Sequence, residues 1–319
     1  MRSKPALTPH ASGSAAQADE SSARRFAIAG QMLTAPKAAT GLYLVATPIG
    51  NLGDITLRAL ETLAGVDAIA CEDTRVTRRL LERFAIDVPM MSYHEHNAEA
   101  ARPKILDKIA QGGSVALVSD AGTPLISDPG FKLVREASEA GLDVIALPGA
   151  SSVLTALSVA ALPTDRFFFE GFLPHKQNAR RTRLSELARI DATLVLFEAG
   201  TRVQDTLADM ALTMGGREMA ICRELTKLHE EVLRGGVSEL AARAADLETR
   251  GEFVLVIGPP PANSGVMSDT DLDDVLRASL KTESVKDAVA HAMDISGRPR
   301  REIYARALEL AKENGDERE

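Results

Sequence analysis

From Gly41 onward the chain alternates short apolar runs with stretches of helical periodicity, and this alternation limits the fold more than any other feature. The runs are residues 42–46, 66–71, 115–119, 144–147, 167–170, 193–198, 219–222 and 253–257. Each has the length and near-continuous β-branched or aliphatic character of a strand covered on both faces. Helical patterns occupy 56–63, 77–84, 99–111, 131–140, 152–161, 178–189, 201–214 and 237–249. Strand–helix alternation of this kind predicts α/β architecture with largely parallel sheets.

Two breaks divide the series. One lies at Leu147-Pro148-Gly149, where a strand meets a turn dipeptide and the helix-capping pair Ser151-Ser152. The other is the proline- and glycine-rich stretch 258–265, which cannot continue a sheet. Beyond it the chain reads as purely helical. Ser284 caps one helix over 285–293, Ser296-Gly297 makes a turn, and Pro299 starts a last helix running to Leu310. A length of 319 residues suits two ordinary domains plus appendages. The expected organisation is a disordered N-terminal extension over 1–39, α/β domains over 40–149 and 150–260, and a helical tail over 266–319. The extension is expected from its Ala/Ser/Pro/Thr-rich composition, which buries too little surface to order itself.

Charge and composition remove several function classes. The net charge of −8 excludes a globally basic nucleic-acid coat, so any phosphate contact must come from a local patch. Two cysteines, Cys71 and Cys222, exclude a disulfide scaffold and a four-cysteine zinc site and suit a reducing, cytoplasmic setting. No run approaches the roughly 18 apolar residues of a membrane span. His94-Glu95-His96 is the nearest thing to a metal site, but its spacing is poor and further ligands are missing, so no metal is expected.

Neither the nucleoside-triphosphate loop Gly-x-x-x-x-Gly-Lys-Ser/Thr nor Gly-x-Gly-x-x-Gly follows the first strand. Three other loops do follow strands of the first half. They are Thr47-Pro48-Ile49-Gly50-Asn51-Leu52-Gly53-Asp54, then Ser119-Asp120-Ala121-Gly122-Thr123-Pro124-Leu125-Ile126-Ser127-Asp128-Pro129-Gly130, then Pro148-Gly149-Ala150-Ser151-Ser152. In a parallel sheet they gather at the carboxyl edge, where ligands of open α/β sheets bind. Their glycines and prolines admit close backbone approach, and a carboxylate such as Asp120 suits a ribose diol or a cation.

The stretch from Gly41 through Thr47-Pro48-Ile49-Gly50-Asn51-Leu52-Gly53-Asp54 to Ala59 resembles the opening of the ribosomal RNA small subunit methyltransferase I family. That family is a branch of the tetrapyrrole-methylase-like (class III) methyltransferases. The resemblance continues through Cys71-Glu72-Asp73-Thr74-Arg75, the Ser119 to Gly130 loop, and Gly171-Phe172-Leu173-Pro174 with Lys176. It extends to Arg223-Glu224-Leu225-Thr226-Lys227-Leu228-His229-Glu230-Glu231 and Gly251-Glu252-Phe253-Val254-Leu255-Val256. It implies two α/β domains of the tetrapyrrole methylase type with a cofactor cleft between them, a homodimer, and a small helical C-terminal extension. It also implies S-adenosylmethionine-dependent methylation of the ribose 2′-hydroxyl of a cytidine in the decoding centre of 16S rRNA. By motif match, Pro48, Asp120, Gly122, Thr123, Pro124, Ile126, Ser127, Ser151 and Ser152 are the expected cofactor residues. The chain departs from the family where members tend to carry Glu-Ala-Pro-His-Arg and it has Glu198-Ala199-Gly200-Thr201-Arg202.

A ribose hydroxyl is a weak acid, so a general base assists its attack. Glu72, Asp73, His94 and Glu224 are the leading candidates, with Glu95 and His229 behind them; Asp73 also reads as a helix cap. RNA contact needs local positive charge. Arg75, Arg78, Arg79 and Arg83 face a single acid, Glu82, over 74–83. Lys176, Arg180, Arg181, Arg183 and Arg189 face only Glu186 over 171–189. Arg75, Arg78, Arg79, Lys176, Arg180 and Arg181 are therefore the expected phosphate grips, with Lys227 added from the family motif. Arg298, Arg300 and Arg301 form a third basic group in an otherwise acidic tail. The alternatives are a tetrapyrrole C-methyltransferase and a non-catalytic ribosome-assembly factor on the same fold.

Overall fold

The computed structural model describes residues 24–261, 269–280, 283–296 and 298–316. It divides into two compact units, one of Met1–Pro48 with Leu52–Ala150, the other of Ile49–Asn51 with Ser151–Glu319.

The first unit opens with an antiparallel hairpin of β1 (Arg25–Ile28) and β2 (Gln31–Thr34), which corrects the expected unstructured extension over 1–39. Residues 1–23 of that extension lie outside the described residues. Phe26, 1% exposed, anchors the hairpin in the core, and the Ala27 N–H donates to the Phe84 carbonyl at 2.6 Å. Arg24 and Lys37 pair with Asp67 from either side of the hairpin. One buried aromatic and one ion cluster outweigh the small, polar composition around them.

The α/β pattern then proceeds through β3 (Gly41–Val45), α1 (Leu57–Gly65), β4 (Ala68–Cys71), α2 (Thr74–Arg83), β5 (Met90–Ser92), α3 (Ala98–Ala110), β6 (Ser114–Val118), α4 (Phe131–Glu139) and β7 (Val144–Leu147). The sheet order is β5-β4-β6-β3-β7, and every pair is parallel. Side chains of α1 and α2 pack on one face of this sheet, and those of α3 and α4 on the other. Helix starts are specified locally: the Thr56 hydroxyl accepts the Ala59 N–H, and the Asp73 carboxylate accepts the Arg75 N–H.

The second unit runs α5 (Ser152–Ala160), β8 (Phe167–Phe172), α6 (Gln177–Leu187), β9 (Thr193–Ala199), α7 (Val203–Met214), β10 (Glu218–Arg223), β11 (Glu231–Gly236), α8 (Val237–Ala242) and β12 (Glu252–Ile257). Its order is β11-β10-β12-β9-β8, and only β8–β9 is parallel, so the expectation of largely parallel sheets is corrected here. The short 224–230 loop folds β11 back on β10 as a hairpin, and β12 enters between β10 and β9 antiparallel to both. Helices α6, α7 and α8 cover one face with Leu184, Leu207, Met210 and Leu240, while α5 packs against β10 and β12.

Among the described residues three helices follow, α9 (Asp269–Ser279), α10 (Val285–Ser296) and α11 (Arg300–Asp316), around a small core of Leu272, Leu276, Val289, Ile303 and Leu310. Ser284 caps α10 as expected, accepting the Asp287 N–H at 3.2 Å. Gly297 of the expected turn lies outside the described residues. Cys71 and Cys222 are buried free thiols, and burial pushes Cys222 up to about 11, which keeps it protonated and inert. Among the described residues no helix is long and apolar enough to cross a membrane.

Candidate active site

β3 and β6 are neighbours, yet the chain leaves their carboxyl ends for helices on opposite faces of the sheet. Such a divergence opens a crevice at that edge of an α/β sheet. The loops that leave these strands are knitted together across it. Thr47 and Gly122 exchange both main-chain hydrogen bonds at 2.9 Å. The Thr47 hydroxyl donates to the Ser119 carbonyl at 3.1 Å, and the Ser119 hydroxyl donates to the Gly122 carbonyl at 3.0 Å. The third loop is tied in by the Thr123 hydroxyl, which donates to the Ala150 carbonyl at 3.0 Å. It also passes so close to β3 that a Cβ on Gly149 would lie 2.7 Å from that of Ala46. Leu125 (φ 75°) and Ser127 (φ 62°) are held in the left-handed region, a conformation that costs roughly 1–2 kcal/mol per non-glycine residue.

A hollow of 230 Å³ lies at this edge. Thr47, Pro48 and Leu52 wall it from the first loop, Ser119 and Asp120 from the second, and Val76 and Arg79 from α2. The third loop is not among its walls. Of the three loops, two line the hollow together with a helix, and the third is tied to them through Thr123 and Ala150. Pro48 and Asp120 line the hollow. Gly122, Thr123, Pro124, Ile126 and Ser127 follow Asp120 on the same loop, where Ile126 is exposed. Ser151 caps α5 by accepting the Leu154 N–H at 3.4 Å, with Ser152 as the first residue of that helix.

The rim carries several carboxylates. Asp120 Oδ1 accepts the Asp73 N–H at 3.1 Å. Partial burial raises Asp120 above the usual carboxylate range, and burial together with the Asp120 charge does the same for Glu72. Asp128, which the sequence reading did not single out, is pushed up to about 6 by burial and then by the charges of Glu72 and Asp120, against a hydrogen bond from Ser119. Its signal was present in the sequence, as the second aspartate of the glycine- and proline-rich loop. His94 sits on the loop after β5, near enough to Glu72 for its charge to oppose that rise. Its main-chain N–H donates to Asn97 Oδ1 at 2.9 Å, and its Nδ1 is buried with no hydrogen-bond partner among the described residues. Among the described residues no group of three or more His, Cys, Asp or Glu side chains is placed to hold a metal ion.

Two base candidates are engaged by neighbouring side chains and main chain. Asp73 caps α2 and grips the Arg75 guanidinium, whose hydrogen bond holds it at about 2, far too acidic for proton abstraction at neutral pH. In the second unit Glu224 Oε1 accepts from Lys227 Nζ at 2.8 Å and from the Glu252 N–H at 3.0 Å. Burial alone would raise it, but these bonds hold it below its ordinary value. Lys227, expected to grip substrate, commits its ammonium to Glu224 and Glu252 while its stem packs on Gly50, where a Cβ would meet it at 2.3 Å. Glu95 and His229 are exposed.

The expected basic surface is also redistributed. Arg180 is 4% exposed and bonded to Asp209 at 2.7 Å, so it cannot reach a phosphate; Arg181 shares the same carboxylate. Arg183 is held by Glu170 and Glu186. Asp209 and Glu170 belong to neighbouring elements, which is why a count along the 171–189 stretch missed them. On α2, Arg78 and Arg79 are exposed without an ion-pair partner among the described residues, and Lys176 is exposed ahead of α6. At the family departure, a Cβ on Gly200 would lie 1.6 Å from the Thr249 carbonyl oxygen, so this backbone accepts no side chain there. A histidine reaches Arg202 from elsewhere: His175 Nδ1 lies 3.3 Å from its Nη1.

The family model for tetrapyrrole (corrin/porphyrin) methylases matches residues 41–241, and the model described as the RsmI C-terminal HTH domain matches 266–311. The chain belongs to the tetrapyrrole methylase family and is a methyltransferase. Within that family its relatives are ribosomal RNA small subunit methyltransferases I. That of Mesorhizobium japonicum is 47% identical over 86% of this chain and 94% of its own. That of Bacillus subtilis is 42% identical over 82% and 92%, and that of Halalkalibacterium halodurans 50% identical over 68% and 75%. Among solved structures, diphthine synthase (15% identity, 73% of this chain and 93% of that one, TM-score 0.55) shares the fold. So does a cobalt precorrin-4 methyltransferase (18%, 68% and 94%, TM-score 0.52).

Proposed function

We propose that this chain transfers the methyl group of S-adenosylmethionine to the ribose 2′-hydroxyl of a cytidine in the decoding centre of 16S rRNA. The observation that carries the reading is the hollow between Pro48, Asp120 and the arginine-bearing helix α2, in a chain 42–50% identical to rRNA-directed relatives. Asp120 and Arg79 both line that hollow, a carboxylate that suits a cationic donor and a guanidinium that suits a polyanionic acceptor. The donor supplies a methyl group already activated on a sulfonium, so the chain's task is to align two reactants. Pro48 and the Asp120–Ser127 loop are the residues that hold the donor. Asp120 provides its charge, and the knitted backbone of Thr47 and Gly122 keeps the loop in place.

The proton of the acceptor hydroxyl passes to a carboxylate of the Glu72–Asp128 pair, with His94 beside it. Burial raises both carboxyls, Asp128 to about 6, and general bases work best with a pKa near the operating pH. Arg78, Arg79 and Lys176 are the remaining phosphate grips, since Arg75 is engaged by Asp73. The same reading takes the protein to be a cytoplasmic homodimer. A tetrapyrrole C-methyltransferase shares the architecture, but the cobalt-precorrin enzyme is only 18% identical, far below the rRNA-directed relatives. Titration calorimetry tests the donor site. Asp120→Ala should weaken S-adenosylmethionine binding by about tenfold or more, as expected when a charge-assisted contact of roughly 1.5–3 kcal/mol is removed. A variant that binds as the parent does removes Asp120 from the site.

A further inference from the structure

The methyl-transfer reading leaves the last helix unused. Ile303, Ala307 and Leu310 turn one side of α11 into the core of the three-helix tail. At 100° per residue, Arg300, Arg301, Tyr304 and Leu308 share one of the flanks that remain. Tyr304 is 46% and Leu308 40% exposed. Arg300 and Arg301 are exposed and have no ion-pair partner among the described residues. The acids of the helix lie elsewhere: Glu302 and Glu309 occupy the opposite exposed flank, and Arg306 is engaged by Glu309 and Asp273. The third arginine of the basic group, Arg298, pairs with Asp269. In a tail that is acidic as a whole, one flank thus collects two unengaged guanidinium groups and the tail's single tyrosine, and no carboxylate.

We propose that this flank of α11 is an RNA-binding surface, gripping phosphates with Arg300 and Arg301 and stacking Tyr304 on an unpaired base. The inference rests on the reading that rRNA is the substrate and adds a contact outside the methyl-transfer site. Charge complementarity selects the occupant: free guanidinium groups neutralise phosphates, and an exposed aromatic beside them offers a stacking platform for a splayed base. Helix–turn–helix units likewise contact nucleic acid with the first residues of their second helix, where Arg300 and Arg301 stand.

Filter binding of the full-length protein to protein-free 16S rRNA across a potassium chloride series tests this. Arg300→Glu with Arg301→Glu should raise Kd about tenfold or more and lower the slope of log K against log salt by about 2, one for each phosphate no longer neutralised. Tyr304→Ala should weaken binding at least about fivefold, while Tyr304→Phe, which keeps the ring, binds as the parent does. S-adenosylmethionine affinity should be unchanged in all three, showing that the variants are folded. Unaltered Kd and slope in the charge-reversed protein overturn the inference. A defect confined to assembled small subunits and absent on protein-free rRNA also overturns it, and assigns the flank to a protein. If the parent itself shows no salt-dependent rRNA binding, the substrate reading fails and takes this inference with it.

Discussion

Asp128 shows how one half-buried carboxylate links the site to stability. Unfolded, it carries the ordinary aspartate value; folded, it is pushed up to about 6. Between those values the folded chain binds the extra proton, so stability falls as pH rises through about 6, and above that the buried charge weighs fully against the fold. Asp128→Asn should therefore be more stable than the parent at pH 8, with the gain vanishing toward pH 4. Urea midpoints at the two pH values check this, and a gap independent of pH contradicts it. Arg180 makes the opposite case. Burial alone would raise Asp209, but the hydrogen bonds of Arg181 and Arg180 outweigh it and hold the carboxyl below its usual range. Removing one partner of a buried pair costs roughly 3–5 kcal/mol, so Arg180→Ala should lower the urea midpoint by that equivalent. An unchanged midpoint would mean that Arg180 is not buried as described.

At the scale of elements, strands with an apolar pattern were legible and strands held by their neighbours were not. β3, β6, β9 and β12 are continuous apolar runs, and the sequence places each within a residue or two. The edge strands β5 and β11 were missed. β5 has three residues, and β11 reads Glu231-Val232-Leu233-Arg234-Gly235-Gly236, so only pairing with β10 makes it a strand. The β1–β2 hairpin was missed for a related reason, since its order comes from Phe26 entering a core formed by distant residues. Phe26→Ala should cost about 3–5 kcal/mol, as deletion of a buried phenyl ring usually does, and proteolysis within 24–34 should accelerate in step. A variant with parental stability and protease resistance would show that the hairpin is not docked.

For the whole molecule, a hollow at the carboxyl edge of the first sheet was legible because glycine, proline and aspartate mark the loops there, and parallel strand order brings the Thr47 and Ser119–Gly122 loops together. The distribution of free charge was not legible. Whether a basic side chain is free depends on acids contributed by other elements, as Asp209 does for Arg180 and Glu252 for Lys227. Of the basic groups read from the sequence, Arg78 and Arg79 in the first unit, and Lys176, Arg300 and Arg301 in the second, stay exposed without an ion-pair partner among the described residues. Charge reversal of Arg78, which does not wall the hollow, should raise KM for the ribosomal substrate about threefold or more with little change in S-adenosylmethionine affinity; equal weakening of both would place this arginine in the donor site instead. The central claim is tested most directly by mass spectrometry of nuclease-digested 16S rRNA from a strain deleted for this gene, with and without its restoration. The account predicts a 2′-O-methylcytidine in the decoding-centre fragment only when the gene is present, and its disappearance again with Asp120→Ala. An identical digest from both strains would contradict it.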